Sequence, residues 1–175
     1  MIRNIAAVVL GGVIALGCQH GSAGSESAVS AEKSAGFQPT GSIVFARGSA
    51  SFDASRVAGP RINVTKRSDG TWAGTLDDQI VDVTVNGNRV VGSFMTMSVE
   101  QSSNGVLITG QWLGRILRFQ VTPEQVLVRT PNRSLTLYRK GEGEYGPGGE
   151  LKLAGEAALM NPPMPQFALA MAATF

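Results

Sequence analysis

A chain of 175 residues has room for one domain with a genuine core plus extensions. Its 15 Lys+Arg against 13 Asp+Glu leave a net charge of +2, which supplies no electrostatic footprint for nucleic acid. One cysteine excludes an intrachain disulfide, and one cysteine with one histidine cannot complete a four-ligand structural metal site.

The first residues have the form of a secretory signal. Arg3 supplies a positive start, residues 5–16 an uncharged apolar run, and Gly17 a small residue before the composition changes. As a helix that run spans roughly 18 Å against ~30 Å of hydrocarbon, too short for a stable transmembrane anchor. Cys18 and His20 stand where the run ends. Position and residue type leave three readings for them: a lipidated cysteine, a free cysteine beside a plain secretory signal, or a metal or redox pair. The last has too few ligands.

The stretch "IALGC" resembles the lipobox of bacterial lipoproteins. It departs from the commonest pattern in one respect: Ala15 stands three before the cysteine, where leucine is usual, and Leu16 one place late. The resemblance covers the leader alone, and it implies that residues 1–17 are cleaved as a signal peptide. Cys18 then becomes the acylated first residue, carrying chains such as palmitate, with no other cofactor. Paired acyl chains hold a protein on a membrane durably, where one alone is marginal. Gln19 stands where an aspartate often signals inner-membrane retention, so the expected address is the outer membrane of a bacterial cell envelope.

Residues 18–40 follow as a flexible tether rich in Ser, Ala and Gly, with too little apolar surface to offset the entropy of ordering. Its ends would lie roughly 25 Å apart on average.

From residue 41 to 154 the pattern turns to period two. Val81, Val83 and Val85 alternate with Asp82 and Thr84, and Leu117, Phe119 and Val121 with Arg118 and Gln120. Such alternation marks half-buried antiparallel strands. Asp69-Gly70, Asn86-Gly87 and Asn104-Gly105 are hairpin dipeptides. The expectation is an all-β antiparallel meander of about eight or nine strands, forming a barrel or a sandwich.

Residues 69–91 laid over 104–127 suggest an internal duplication of about 36 residues, with Gly74 on Gly110, Ile80 on Ile116 and Val83 on Phe119. A duplicated sheet closing against its twin is one reading, and chance likeness of two strand-rich segments is the other. Gly74, Gly92 and Gly110 inside strands predict bends or bulges.

The glycine-rich run 141–149 reads as a loop, and residues 155–175 as a loop with a short apolar helix. Phe167, Leu169, Met171, Ala173 and Phe175 resemble the terminal strand signal of outer-membrane barrels. The alanines between them favour a helix, with Pro165 in its first turn and Phe167, Met171 and Phe175 on the face that docks.

No catalytic constellation stands out. The domain lacks a histidine for a nucleophile–base dyad. Asp77, Asp78 and Asp82 lack calcium-loop spacing and read as an exposed turn. Glu142 and Glu144 would work as an acid–base pair only in a cleft. Met95 and Met97 are two soft ligands where a site needs more, and read as core. Arg129, Arg133, Arg139 and Lys140 form a modest cationic cluster, solvated or facing anionic envelope polymer or headgroups.

The expected function is therefore non-enzymatic, with no catalytic or metal-binding residues and no ligand-binding residues identified. An anchored β-domain would bind a partner protein or support an envelope complex, through strand edges or an apolar patch. The alternatives are a carrier of a lipid or other apolar ligand in a barrel cavity, and an envelope hydrolase or hydrolase inhibitor.

Overall fold

The computed structural model describes residues 37–45 and 48–175. The expected signal peptide, Cys18, His20 and most of the expected tether lie outside the described residues.

The sequence alternation becomes a closed antiparallel barrel in which nearly every strand pairs with its neighbours in the chain. The strands are β1 (Gly41–Phe45), β2 (Gly48–Phe52), β3 (Arg56–Gly59), β4 (Ile62–Lys66), β5 (Trp72–Leu76), β6 (Gln79–Asn86) and β7 (Arg89–Gly92). The wall continues with β8 (Met95–Ser102), β9 (Gly105–Trp112), β10 (Arg115–Val121), β11 (Gln125–Thr130), β12 (Arg133–Gly141), β13 (Glu144–Tyr145) and β14 (Leu151–Gly155). Pairing of β1 with β14 closes the ring. The all-β meander is as expected, and it is a barrel and not a sandwich. Fourteen strands replace the expected eight or nine.

The extra strands arise where hydrophobic alternation is weak, in "GSASF" of β2, "RVAG" of β3 and the two-residue β13. The hairpins fall where the dipeptides place them, with the turn shifted by one residue at two of them. Asn86 pairs with Arg89, so Gly87 and Asn88 make that turn, and Ser102 pairs with Gly105.

Inward positions are apolar, among them Phe52, Trp72, Val83, Ile108 and Phe119, all nearly inaccessible. Outward positions carry Asn63, Asp82, Glu100, Arg118, Arg129 and Lys152. A polar outer wall around an apolar interior is the reverse of a membrane-spanning barrel, whose apolar band faces outward.

Eight strands enclose a space that wall side chains alone can fill. A wall of fourteen encloses more, and the chain supplies the filling itself. Helix α1 (Gln166–Thr174) has every residue buried, and Phe167 through Ala170 are at 0% exposure. An expected docking stripe of Phe167, Met171 and Phe175 gives way to burial on all sides, because a helix without a polar face belongs in an interior. Its alanines at 168, 170, 172 and 173 keep it narrow. It packs chiefly against β2, β1 and β3, the small-residue part of the wall.

The helix ends are satisfied locally. The Phe167 and Leu169 amides donate to the Pro163 and Pro165 carbonyls, and the buried Thr174 hydroxyl donates to Met171 O at 2.9 Å. Gln101 Nε2 donates to Pro162 O at 2.8 Å, tying the entering chain to β8.

The two segments laid over each other in sequence also correspond in three dimensions. Trp72, Val83 and the turn Asp77-Asp78 occupy the places that Ile108, Phe119 and the turn Leu113-Gly114 occupy 36 residues later. Both turns have left-handed backbones, at φ 45° and 62° and at φ 47° and 74°. Gly74 and Gly110 match most closely. A Cβ at either would collide with a neighbouring strand's carbonyl oxygen, that of Asn63 or of Thr96. The two units stand side by side in one wall and do not face each other as separate sheets.

Candidate functional site: the notched mouth of the barrel

Five two-residue turns, at residues 60–61, 77–78, 93–94, 113–114 and 131–132, gather at one end of the barrel, its mouth. The wall there is incomplete because β13 and β14 are short. β13 meets β12 only at Arg139 and Gly141, and residues 146–149, "GPGG", then reverse the chain. Residues 133–137 of β12 therefore pair with β11 on one side and with no strand on the other, among the described residues.

Alternation decides which backbone groups are left over. In the tight hairpin joining β11 and β12, the closing pair Thr130 and Arg133 shares the ladder bonds, so Leu135 and Leu137 also face β11. Ser134, Thr136 and Tyr138 face the other way. Tyr138 accordingly accepts from the Gly146 amide at 2.8 Å, the last partner on that side before the notch. Among the described residues, the N–H and C=O of Ser134 and Thr136 are thus a free strand edge on an exposed strand.

Beneath the notch lies a cavity of about 620 Å³, lined on its apolar side by residues that include Phe45, Trp112, Leu117, Leu135 and Phe175. Phe175, just past α1, stacks on Phe45 at 4.1 Å between ring centres and leans on Phe119 at 4.9 Å. Trp112 is 4% exposed and its indole Nε1 has no hydrogen-bond partner among the described residues. A buried donor left in that state costs about 1–3 kcal/mol.

Three guanidinium groups, of Arg61, Arg115 and Arg133, line this cavity against one side-chain carboxylate, Asp77. Arg61 grips Asp77 with both Nε and Nη2, at 2.6 and 2.8 Å, and that bond holds the guanidinium above its ordinary pKa. Arg115 and Arg133 have no carboxylate at ion-pair distance among the described residues.

On the outer wall beside the notch, Arg118 and Arg129 stand directly opposite each other across β10 and β11. Like charges so placed are destabilising. Neither is relieved by a carboxylate among the described residues.

The other residues raised by the sequence are placed as follows. Met95 and Met97 are buried in the core at 3% and 1% exposure. Asp82 pairs with Arg67 on the wall at 2.7 Å, away from the Asp77 turn. Lys152 hydrogen-bonds Glu144 at 3.0 Å and holds its carboxyl below the ordinary value, opposite to what an acid catalyst needs. The expected cationic cluster is divided. Arg129 and Arg133 stand at the mouth, while Arg139 and Lys140 lie roughly 20 Å further along β12, where they bond the Gly141 and Pro147 carbonyls. Arg61, Trp112 and Arg115 were not singled out by sequence as site residues.

The chain matches no family model, no curated protein and no solved structure.

Proposed function

We propose that this is a non-enzymatic lipoprotein of the bacterial envelope, anchored through Cys18 to the outer membrane, whose barrel binds an acidic, extended segment of a partner protein. The observation that carries the binding reading is the free edge at Ser134 and Thr136, where the short β13 and β14 leave residues 133–137 of β12 without a second strand among the described residues. A strand laid on that edge would gain main-chain hydrogen bonds, and its side chains would meet alternate faces of the sheet. Arg133, Arg129 and Arg118 around the edge supply charge complementarity for carboxylates. Helix α1 fills the lumen below the mouth, which favours this over a carrier that would load a lipid into the centre of the barrel. The anchor rests on the leader, where "IALGC" resembles a lipobox.

Proline tests the edge without disturbing the ladder to β11, since Thr136 donates nothing to it. Thr136→Pro should cost less than about 1 kcal/mol and abolish partner capture. Capture is read by a photocrosslinking residue at Ser134 in the full chain in cells, with adducts mapped by mass spectrometry. Adducts to an acidic segment that vanish with Thr136→Pro support the reading. Adducts that survive the proline, or none at all, contradict it. Arg118→Glu should weaken capture yet raise stability by about 0.5 kcal/mol, by ending the repulsion from Arg129. For the anchor, intact mass from the membrane fraction should give a chain starting at an acylated Cys18; an unmodified start elsewhere would refute it.

A further inference from the structure

We infer that the mouth cavity is a binding site for a small amphiphile, an apolar chain ending in one carboxylate or phosphate. The volume of about 620 Å³ falls within the range of small-molecule pockets, roughly 300–1,000 Å³. Its lining is divided by chemistry. Leu117, Leu135 and Phe175 offer an apolar surface, while Arg115 and Arg133 bring two guanidiniums without carboxylate partners among the described residues. The third, Arg61, is already held by Asp77, so the charge left for a ligand is that of Arg115 and Arg133.

An independent observation comes from Trp112. The residue lines the same cavity, and its buried Nε1–H is one of two buried side-chain polar atoms without a partner among the described residues. The other, Gln166 Oε1, belongs to a residue whose amide nitrogen reaches the Ala54 carbonyl at the opposite end of the barrel. A donor-only group left unsatisfied beside two unpaired cations calls for an acceptor that carries negative charge. A neutral chain would fill the apolar surface and leave the Trp112 donor without an acceptor and the two exposed guanidiniums without a countercharge. The two readings share Arg133 and are otherwise separate: the edge is the Ser134 and Thr136 backbone facing into the notch, the cavity lies under the notch, and Thr136→Pro, which tests the edge, should leave decanoate binding unchanged.

The described core and wall come wholly from residues 37–175, closed on themselves, so residues 19–175 can be used without the leader. The chain has two tryptophans, so a ¹⁵N-labelled sample gives two indole N–H resonances, one of them from the core residue Trp72. Decanoate below its micelle concentration should shift the Trp112 resonance and leave that of Trp72 in place. Arg115→Gln with Arg133→Gln should weaken binding roughly tenfold or more, whereas Arg118→Gln with Arg129→Gln, on the outer wall, should not.

Co-sedimentation with phosphatidylcholine vesicles, with and without phosphatidylglycerol, separates the sources. Decanoate binding assigns the site to free amphiphiles. Binding to phosphatidylglycerol vesicles alone, lost with Arg115→Gln/Arg133→Gln, assigns it to lipid headgroups. The inference is overturned if decanol binds as tightly as decanoate. It is equally overturned if the Arg115/Arg133 variant binds normally, or if neither decanoate nor anionic vesicles bind.

Discussion

A chain ending at Pro165, and so lacking α1, is expected to lose cooperative folding. Phe167, Leu169 and Met171 are at 0% exposure in the lumen, against a wall built around them. Truncating one such residue to alanine costs about 2–5 kcal/mol. Three together therefore match the ~5–15 kcal/mol that holds a typical domain folded. Fourteen strands cannot contract onto the vacated space without changing register, and a one-residue slip turns every apolar side chain outward. The truncated chain should keep far-ultraviolet β signal, lose the near-ultraviolet signal of its tryptophans and bind a hydrophobic dye. Leu169→Ala, a smaller change, should leave the fold intact and lower stability by about 2–5 kcal/mol in urea unfolding. A truncated chain that unfolds cooperatively at the original midpoint would show that the helix does not hold the barrel open.

Gly110→Val is expected to cost about 3 kcal/mol, at the upper end for added bulk in a packed site. Its Cβ would strike the Thr96 carbonyl and stand 2.7 Å from Met97 Cα, both in the backbone of β8 and unable to turn aside. The site pairs with Met97 on one side and Leu117 on the other, so separation from β8 disturbs two ladders. Gly74→Val should cost a similar amount, because Asn63 and Val64 of β4 approach it in the same way. Thr109→Val, one residue away and pointing outward, is the control and should change stability by no more than about 0.5 kcal/mol. Similar costs at Gly74 and Gly110 would mark the two matching segments as equivalent in energy as well as shape; a tolerated valine at either would end that equivalence.

The parts of this fold legible in sequence are those with strong local contrast. Val81, Val83 and Asp82 announce a strand because the two faces meet different surroundings. The correspondence of Gly74 with Gly110 is legible because a close strand approach admits one residue type. β2 and β3 were not legible for a physical reason. They pack against the helix, so Ala50 and Gly48 stand where an ordinary wall has large residues, and a Cβ added at Gly48 would already be in contact with the Ala173 carbonyl oxygen, at 3.8 Å. That makes "GSASF" look like a loop. The absence of any polar residue from 167 to 173 already speaks for burial on all sides, while the spacing of Phe167, Met171 and Phe175 mimics an amphipathic stripe.

The mouth was the least legible part, since it exists only once the ring closes. Arg61 and Asp77 are 16 residues apart, and nothing local pairs them. Arg118 reads as an ordinary outward residue until register sets Arg129 opposite it. The glycine-rich run 141–149 reads as a loop, and largely is one. Its consequence, a wall cut short that leaves an edge on β12, follows from pairing and not from composition.

Amide hydrogen exchange along β12 in the free protein tests the central claim most directly. With a true notch, protection alternates: Leu135 and Leu137, bonded to β11, exchange slowly, while Ser134 and Thr136 exchange at rates near those of an exposed turn. Equal protection at all four amides would mean that the barrel wall is complete there, and the docking edge would not exist.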